Sequence, residues 1–414
     1  MPNTTDLFAW LDTCPTPYHV SQMAARVLAD KGFIRVTELA SDLPADGYIL
    51  RDGSIHVWRQ AERDSTKFMV IGAHTDSPNL RLKPVPDIER LGWQQLSVEI
   101  YGGVLLNSWL DRDLGMAGRV MLADGRTKLF LSDSALARIP QLAIHLDRDV
   151  NEKGLQLDRQ QHLAPVWGTS QKYSFATWLA DQVKCSPTDI AGFDAHLFDI
   201  TKATLLGADS SLIASGRLDN QVSCWAGITA LAQSPRQENK TVVVSLFDHE
   251  ETGSQSATGA AGPVLEQLLE ALSINQGLSR VQHFDRLAAS LCISADNAHA
   301  VHPNYPERHD AQHAPSVNGG PVIKVNANHR YATTSLGHAH VKTIAQKTGI
   351  PLQVFASRNN MPCGSTIGPI AATRLGIDTV DIGIPQLSMH SARELCGAND
   401  PSELVRFLSA LIVS

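Results

Sequence analysis

Residues 241–253 read TVVVSLFDHEETG, an apolar, β-branched run closed by Asp248, His249, Glu250 and Glu251. A run with only Ser245 to interrupt it is the pattern of a strand buried on both faces of a sheet. Three carboxylates in four residues at the mouth of such a strand repel one another unless a cation offsets them. The plainer alternative is an acidic loop in which Glu250 and Glu251 sit near a helix N-terminus, where negative charge is favoured.

The arrangement recurs. FMVIGA (68–73) ends in His74-Thr75-Asp76; LAASLCISA (287–295) ends in Asp296, with His299 just beyond; TVDIGI (379–384) opens through 385–389 onto His390. Ligands of open α/β sheets bind beyond the carboxyl ends of the strands, so four such runs predict one shared polar crevice. Imidazole and carboxylate donors without thiolates suit zinc, and also manganese or cobalt, in a catalytic site. Two His, two Asp and a Glu pair suffice for two ions if one Asp bridges them, and such a pair activates a water in aminopeptidases and related hydrolases. Of the adjacent Glu250 and Glu251 only one can bind metal, which leaves the other to accept the water proton.

The elements that would hold these groups follow from periodicity. Helices are expected at 6–12, 19–31, 175–183, 221–232, 334–347 and 401–413, and a strand or hairpin arm at 49–59. From 84 to 215 short strand-like pieces (95–101, 119–122, 128–131) alternate with Gly, Asp and Asn turns. This predicts a β-rich domain, 84–215, inserted into a discontinuous catalytic domain of 1–83 and 216–414, and serving as an oligomer contact or a lid. Within it 142–148 alternates like a strand, and on that basis His145 is an ordinary half-buried histidine. Asp219 stands where a loop enters a helix and could simply cap it. Lys324, in a strand expected at 321–326, would ordinarily be a surface charge.

With 414 residues and 43% hydrophobic content the chain can bury a large core. Six scattered cysteines without CxxC spacing read as reduced thiols. The net charge of −7, with no dense basic run, argues against nucleic acid and acidic membrane surfaces as partners. No stretch reaches the length of a membrane span and the first residues carry no export pattern, so a cytoplasmic protein is expected.

Taken together, GAHTDSP (72–78), SGRLDN (215–220), FDHEETGS (247–254), SADNAHAVHPNY (294–305), PVIKVNANHRYA (321–332), MPCGSTIGPI (361–370) and PQLSMHSARE (385–394) resemble the M18 metallopeptidases, the aspartyl aminopeptidases. The likeness runs in order over nearly the whole chain and includes AIHLDR in the inserted segment; singly, HxD or EE would be weak. It implies a mixed-sheet α/β fold of the zinc-aminopeptidase, phosphorylase/hydrolase-like kind with an inserted β-rich oligomerisation domain. It further implies a dinuclear zinc aminopeptidase that removes N-terminal Asp or Glu. His74 and Asp296 match ligands of one ion, Glu251 and His390 those of the other, and Asp219 the bridge. Glu250 matches the general base and Asp76 the residue that orients His74. His299, Lys324 and Tyr331 match substrate-binding positions, as does Glu250, with Lys324 the counter-charge to an acidic side chain. His145 matches a histidine that reaches the substrate in a neighbouring subunit. The resemblance also implies a homo-oligomer, a tetrahedral dodecamer. His249 stands at a position that is Asn in some members of that family and Thr252 replaces a common Val, and neither is an expected ligand. A cargo particle with incidental activity, or a deacylase or carboxypeptidase built on the same ions, are the competing expectations.

Overall fold

The structure is a computed structural model, describing residues 4–40, 42–169 and 173–414. Among these, the strands assemble into a nine-stranded, a six-stranded and a five-stranded sheet. Four neighbours at the centre of the largest sheet, in the order Lys240–Phe247, Lys67–His74, Leu291–Ala295 and Asp378–Gly383, run parallel. They are the four apolar runs of the sequence, and their carboxyl ends lie side by side because Phe247 pairs with His74 and Ala295 with Ile382.

Parallel strands covered on both faces need no polar alternation, and all eight residues of Lys240–Phe247 are buried. Lys240 opens that strand, and its Nζ donates to Leu411 O at 3.3 Å and Ser414 O at 3.0 Å. The buried charge is thus satisfied at the electronegative C-terminus of the Asp400–Val413 helix. On one face, Leu218–Gln233 packs with Asp400–Val413 and the first two helices, Thr4–Thr13 and Pro17–Asp30. On the other, Leu265, Leu268, Leu269 and Leu272 of Val264–Asn275 cover Phe68, Val70 and Val243.

The helix Phe175–Val183 has the predicted bounds, and 49–59 resolves into the hairpin Asp46–Arg51 and Ser54–Arg59. Two strand expectations shift. The third ligand-bearing strand starts at Leu291, because 287–288 close the helix Arg280–Ala288. The fourth does not run into His390: after Gly383 the chain enters Pro385–Leu387, a strand of the five-stranded sheet, and turns.

The six-stranded sheet draws its strands from between Asn79 and Asp199, with its own core around Leu80, Leu114, Phe130, Trp178 and Leu197. Thr204–Leu206 and Leu212–Ser215, inside the span 84–215, instead pair through Glu394–Gly397 with Pro385–Leu387 and Ala298–His299. The segment 142–148 is a turn rather than a strand, with Leu142 and Leu146 exposed; alternation without a neighbouring edge to pair with does not make a strand. None of the described helices is long and apolar enough to cross a membrane.

Candidate metal centre

His74 ends its strand and Asp296 follows the neighbouring one, so register alone brings them together. Glu250 and Glu251 occupy a 3-10 turn, Glu250–Thr252, just beyond Phe247. His390 comes from the loop after Pro385–Leu387, and Asp219 from the first turn of Leu218–Gln233.

Asp219 is not a helix cap. It lies in a kinked first turn with non-helical dihedrals, and its buried Oδ1 accepts no hydrogen bond from a helix N–H. Its position is set by strand ends: Ser77 Oγ donates to Asp219 O at 2.7 Å, Asn220 Nδ2 to Ala295 O at 2.8 Å, and Asn297 Nδ2 to Leu218 O at 2.9 Å. Gln221 Nε2 donates to Thr75 O at 2.8 Å.

The carboxylate so placed faces two imidazoles. Asp219 Oδ1 lies 3.3 Å from His74 Nε2, and Oδ2 lies 3.5 Å from His390 Nε2. Asp296 Oδ1 is 3.7 Å from His74 Nε2, and Glu251 Oε2 is 3.4 Å from His390 Nε2. Three overlapping groups result: His74 with Asp219 and Asp296, His390 with Asp219 and Glu251, and His74 with Glu250 and Glu251. These separations are long for hydrogen bonds. They match the spacing of about 3.3 Å between two donors that each stand roughly 2.0–2.1 Å from a tetrahedral ion. Asp219 Oδ1 and Glu251 Oε1 are buried and accept no hydrogen bond, so each keeps an unused lone pair. The residues present therefore fit two divalent cations.

Electrostatics agree. Burial works to lower the His74 imidazole, but Asp219, Asp296 and Asp76 outweigh it and hold it well above its ordinary value. Burial drives Glu251 well up, reinforced by Asp219. Burial also lifts Glu250 to about 7, with His74 opposing and Asp296 adding to the rise. A buried carboxylate set under such repulsion is the environment that a cation relieves.

A sequence profile described as "Aminopeptidase I zinc metalloprotease (M18)" matches residues 10–411. The chain belongs to the M18 family of metallo-aminopeptidases. Its M18 relatives include proteins named "Probable M18 family aminopeptidase 2" from Streptomyces coelicolor, 48% identical over 99% of this chain and 97% of theirs, and from Mycobacterium tuberculosis, 42% identical over 98% and 97%. Among solved M18-like structures, that of the Ape4 and Nbr1 complex superposes with a TM-score of 0.94 at 36% identity, covering 98% of this chain and 84% of that one. The S. cerevisiae mApe1 dodecamer superposes at 0.86 with 27% identity, covering 99% and 95%.

Two of the residues expected to bind substrate, His299 and Tyr331, line a cavity of about 280 Å³ together with Phe355, Arg308, Met361 and Gln386. Phe355 stands between His299 and Tyr331, with ring centroids 5.8 Å and 6.4 Å away. The His299 ring opens onto the cavity, yet enclosure by its walls and the charge of Lys324 keep it below the usual imidazole value. Lys324 is not a surface charge. It is 1% exposed, with Nζ 3.5 Å from Asp296 Oδ2, donating to Asn297 O at 3.2 Å, and 5.0 Å above the Tyr331 ring. His145 lies apart from the cluster, exposed in the turn 144–146.

Sequence reasoning missed Glu394, Tyr101 and Gly103. Buried Glu394 accepts the backbone N–H of Asp219 at 3.0 Å and of His390 at 2.8 Å, so one carboxylate fixes two chain segments. Its place inside the PQLSMHSARE motif was a signal; the other two, at and just after the end of a strand of a different sheet, carried none.

Proposed function

We propose that this chain hydrolyses the peptide bond after an N-terminal aspartate or glutamate, using two divalent ions of which zinc is the first choice and manganese or cobalt suit the same donors. The observation that carries the dinuclear reading is Asp219, a single carboxylate whose two oxygens face different imidazoles, at 3.3 Å and 3.5 Å. His74 and Asp296 would hold one ion, His390 and Glu251 the other, and Asp219 both. When bound, the ions supply polarisation of the scissile carbonyl and a water acid enough to ionise near neutral pH.

Glu250 belongs to the group with His74 and Glu251 but to neither Asp219-centred triad. With its carboxyl raised to about 7 by burial, it is suited to take the water proton and return it to the leaving amine. Asp76 keeps His74 and the Glu250–Glu251 turn in place. An acidic side chain would enter the cavity beside His299 and Tyr331, with Arg308 at its wall, and share the Lys324 ammonium with Asp296.

We read the sheet between Asn79 and Asp199 as the inserted domain. Val85, Leu91 and Trp93 are exposed at one of its hairpins, and Leu142, Ile144 and Leu146 flank His145, as suits a face covered by a second copy. The assembly proposed is a homo-oligomer, a tetrahedral dodecamer, supported by the S. cerevisiae mApe1 dodecamer among the structural neighbours. In it His145 would serve a neighbouring subunit's site. Six unpaired cysteines suit a reducing, cytoplasmic location.

The test is release of the first residue from matched Asp-, Glu-, Ala- and Leu-initiated peptides, before and after chelation and with Zn2+ restored. Metal-dependent release confined to Asp and Glu supports the reading. Release without acidic preference removes the assignment of the cavity, and no release by the metal-loaded chain removes the activity.

A further inference from the structure

The strand Trp93–Tyr101 of the six-stranded sheet leads into Gly102-Gly103, and Tyr101 and the two glycines each meet a different group at the candidate centre. Tyr101 Oη donates to Asp76 Oδ2 at 2.8 Å. That carboxylate also accepts the backbone N–H of Glu250 at 3.1 Å and of Glu251 at 3.0 Å. Gly103 O lies 3.0 Å from His390 Nδ1, and the loop is locked there by Leu105 N–H, which donates to His390 O at 3.0 Å. An imidazole that gives its Nδ1 proton to a carbonyl presents a bare Nε2, the form that binds a cation. His390 Nε2 is the atom facing Asp219 and Glu251.

The two glycines are required by close approach. At Gly102 (φ +74°) a Cβ would stand 3.0 Å from Glu251 Cβ, and at Gly103 a Cβ would stand 3.1 Å from His390 Nδ1. A side chain at either position would push a group of the centre aside.

We infer that Tyr101-Gly102-Gly103 is a positioning element for the metal centre: the segment leaving the inserted sheet, rather than the sheets that carry the candidate ligands, sets the tautomer of His390 and steadies the Glu250–Glu251 turn through Asp76. The inference rests on the dinuclear reading above. It makes the inserted sheet part of the centre even within one subunit. Tyr101 acts through Asp76, and Gly103 through His390, so neither is a catalytic residue.

The experiment compares the full-length wild type with Tyr101→Phe, Gly103→Ala and Glu99→Gln, the last an exposed position on the same strand. Each protein is stripped with chelator and titrated with Zn2+ against a chromophoric competitor; Co2+ absorption spectra and the melting temperatures of the metal-free forms are also recorded. Expected are metal-free melting temperatures equal to wild type, an affinity for at least one ion lowered by roughly ten-fold or more in Tyr101→Phe and Gly103→Ala, an altered Co2+ spectrum in Gly103→Ala, and no change in Glu99→Gln. Should Gly103→Ala fail to fold, Tyr101→Phe carries the test, since it removes one oxygen and no carbon. Wild-type affinity in the folded variants, or equal weakening in Glu99→Gln, overturns the inference alone. A wild type that holds no divalent ion overturns the dinuclear reading and this inference with it.

Discussion

The closest acceptor for His74 Nδ1 is the backbone carbonyl of Asp76, at 3.0 Å, while the nearer carboxylate oxygen of the same residue stands at 3.4 Å. The Asp76 side chain is occupied elsewhere, accepting the N–H groups of Glu250 and Glu251 and the Tyr101 hydroxyl. Asp76 therefore serves two ends of the site with two different groups: its main chain orients an imidazole, and its side chain holds the acidic turn.

Asp76→Asn tests that division. The amide has one acceptor oxygen where the carboxylate has two, so one backbone N–H of the Glu250–Glu251 turn would face an NH2 group. We expect kcat/KM to fall by about 10–100-fold, the usual cost of losing a partner behind a metal site. The Asp76 carbonyl persists, so His74 should keep its orientation; steady-state kinetics beside metal content by mass spectrometry decide it. Unchanged kinetics would mean that the carboxylate is dispensable.

Glu250→Gln separates proton transfer from metal binding. The Asp219-centred triads do not include Glu250, so two ions per chain should be retained while kcat drops by about 10²–10⁴-fold. Loss of an ion together with activity would show that Glu250 is a ligand.

Lys324→Met tests selectivity. On sequence grounds loss would fall mainly on the preference for acidic N-termini, but the 3.5 Å contact of Lys324 with Asp296 adds a second expectation. Removing the ammonium should lower kcat/KM for Asp-peptides relative to Leu-peptides, and also alter affinity for the ion on the His74 side. An unaltered ratio between the two peptides would exclude Lys324 from substrate recognition.

Stability should fall in mild acid. Burial holds His56 at about 3, with Arg51 adding to the effect, and His196 is likewise held at about 3 by burial and Arg81. Both stay neutral in the fold, whereas in the unfolded chain they protonate near 6.5, so the unfolded state binds more protons between those values and stability declines as pH drops through that window. Each contributes a loss on the order of 1 kcal/mol at pH 5.5 relative to neutral pH. His56 is hydrogen-bonded to Ser245 Oγ at 3.1 Å, and His56→Gln should flatten the dependence of the urea midpoint on pH. An unchanged slope would sink the attribution.

How much could be read without coordinates depends on the range of the interactions. The four central strands were legible because burial on both faces leaves an unbroken apolar run, and the groups at their ends were legible because acid and imidazole there have few structural uses. The motifs and their order carried the family. The pairing of Thr204–Leu206 and Leu212–Ser215 with Glu394–Gly397 was not legible, since short strands take their partners from whichever edge the fold leaves open. Nor was Lys324's burial, because a lone lysine in a strand looks the same whether its partner is water or Asp296.

The sequence by itself determined which atoms are available: imidazoles, aspartates and a glutamate pair at or beyond the ends of apolar runs, and an aspartate where a loop enters a helix. Tertiary structure decided what stands behind them. Tyr101 and Gly103 reach Asp76 and His390 across 25 and 287 positions of chain, and a hydrogen bond between remote segments leaves no periodicity to read, because its energy depends on where two surfaces meet and not on neighbours along the chain.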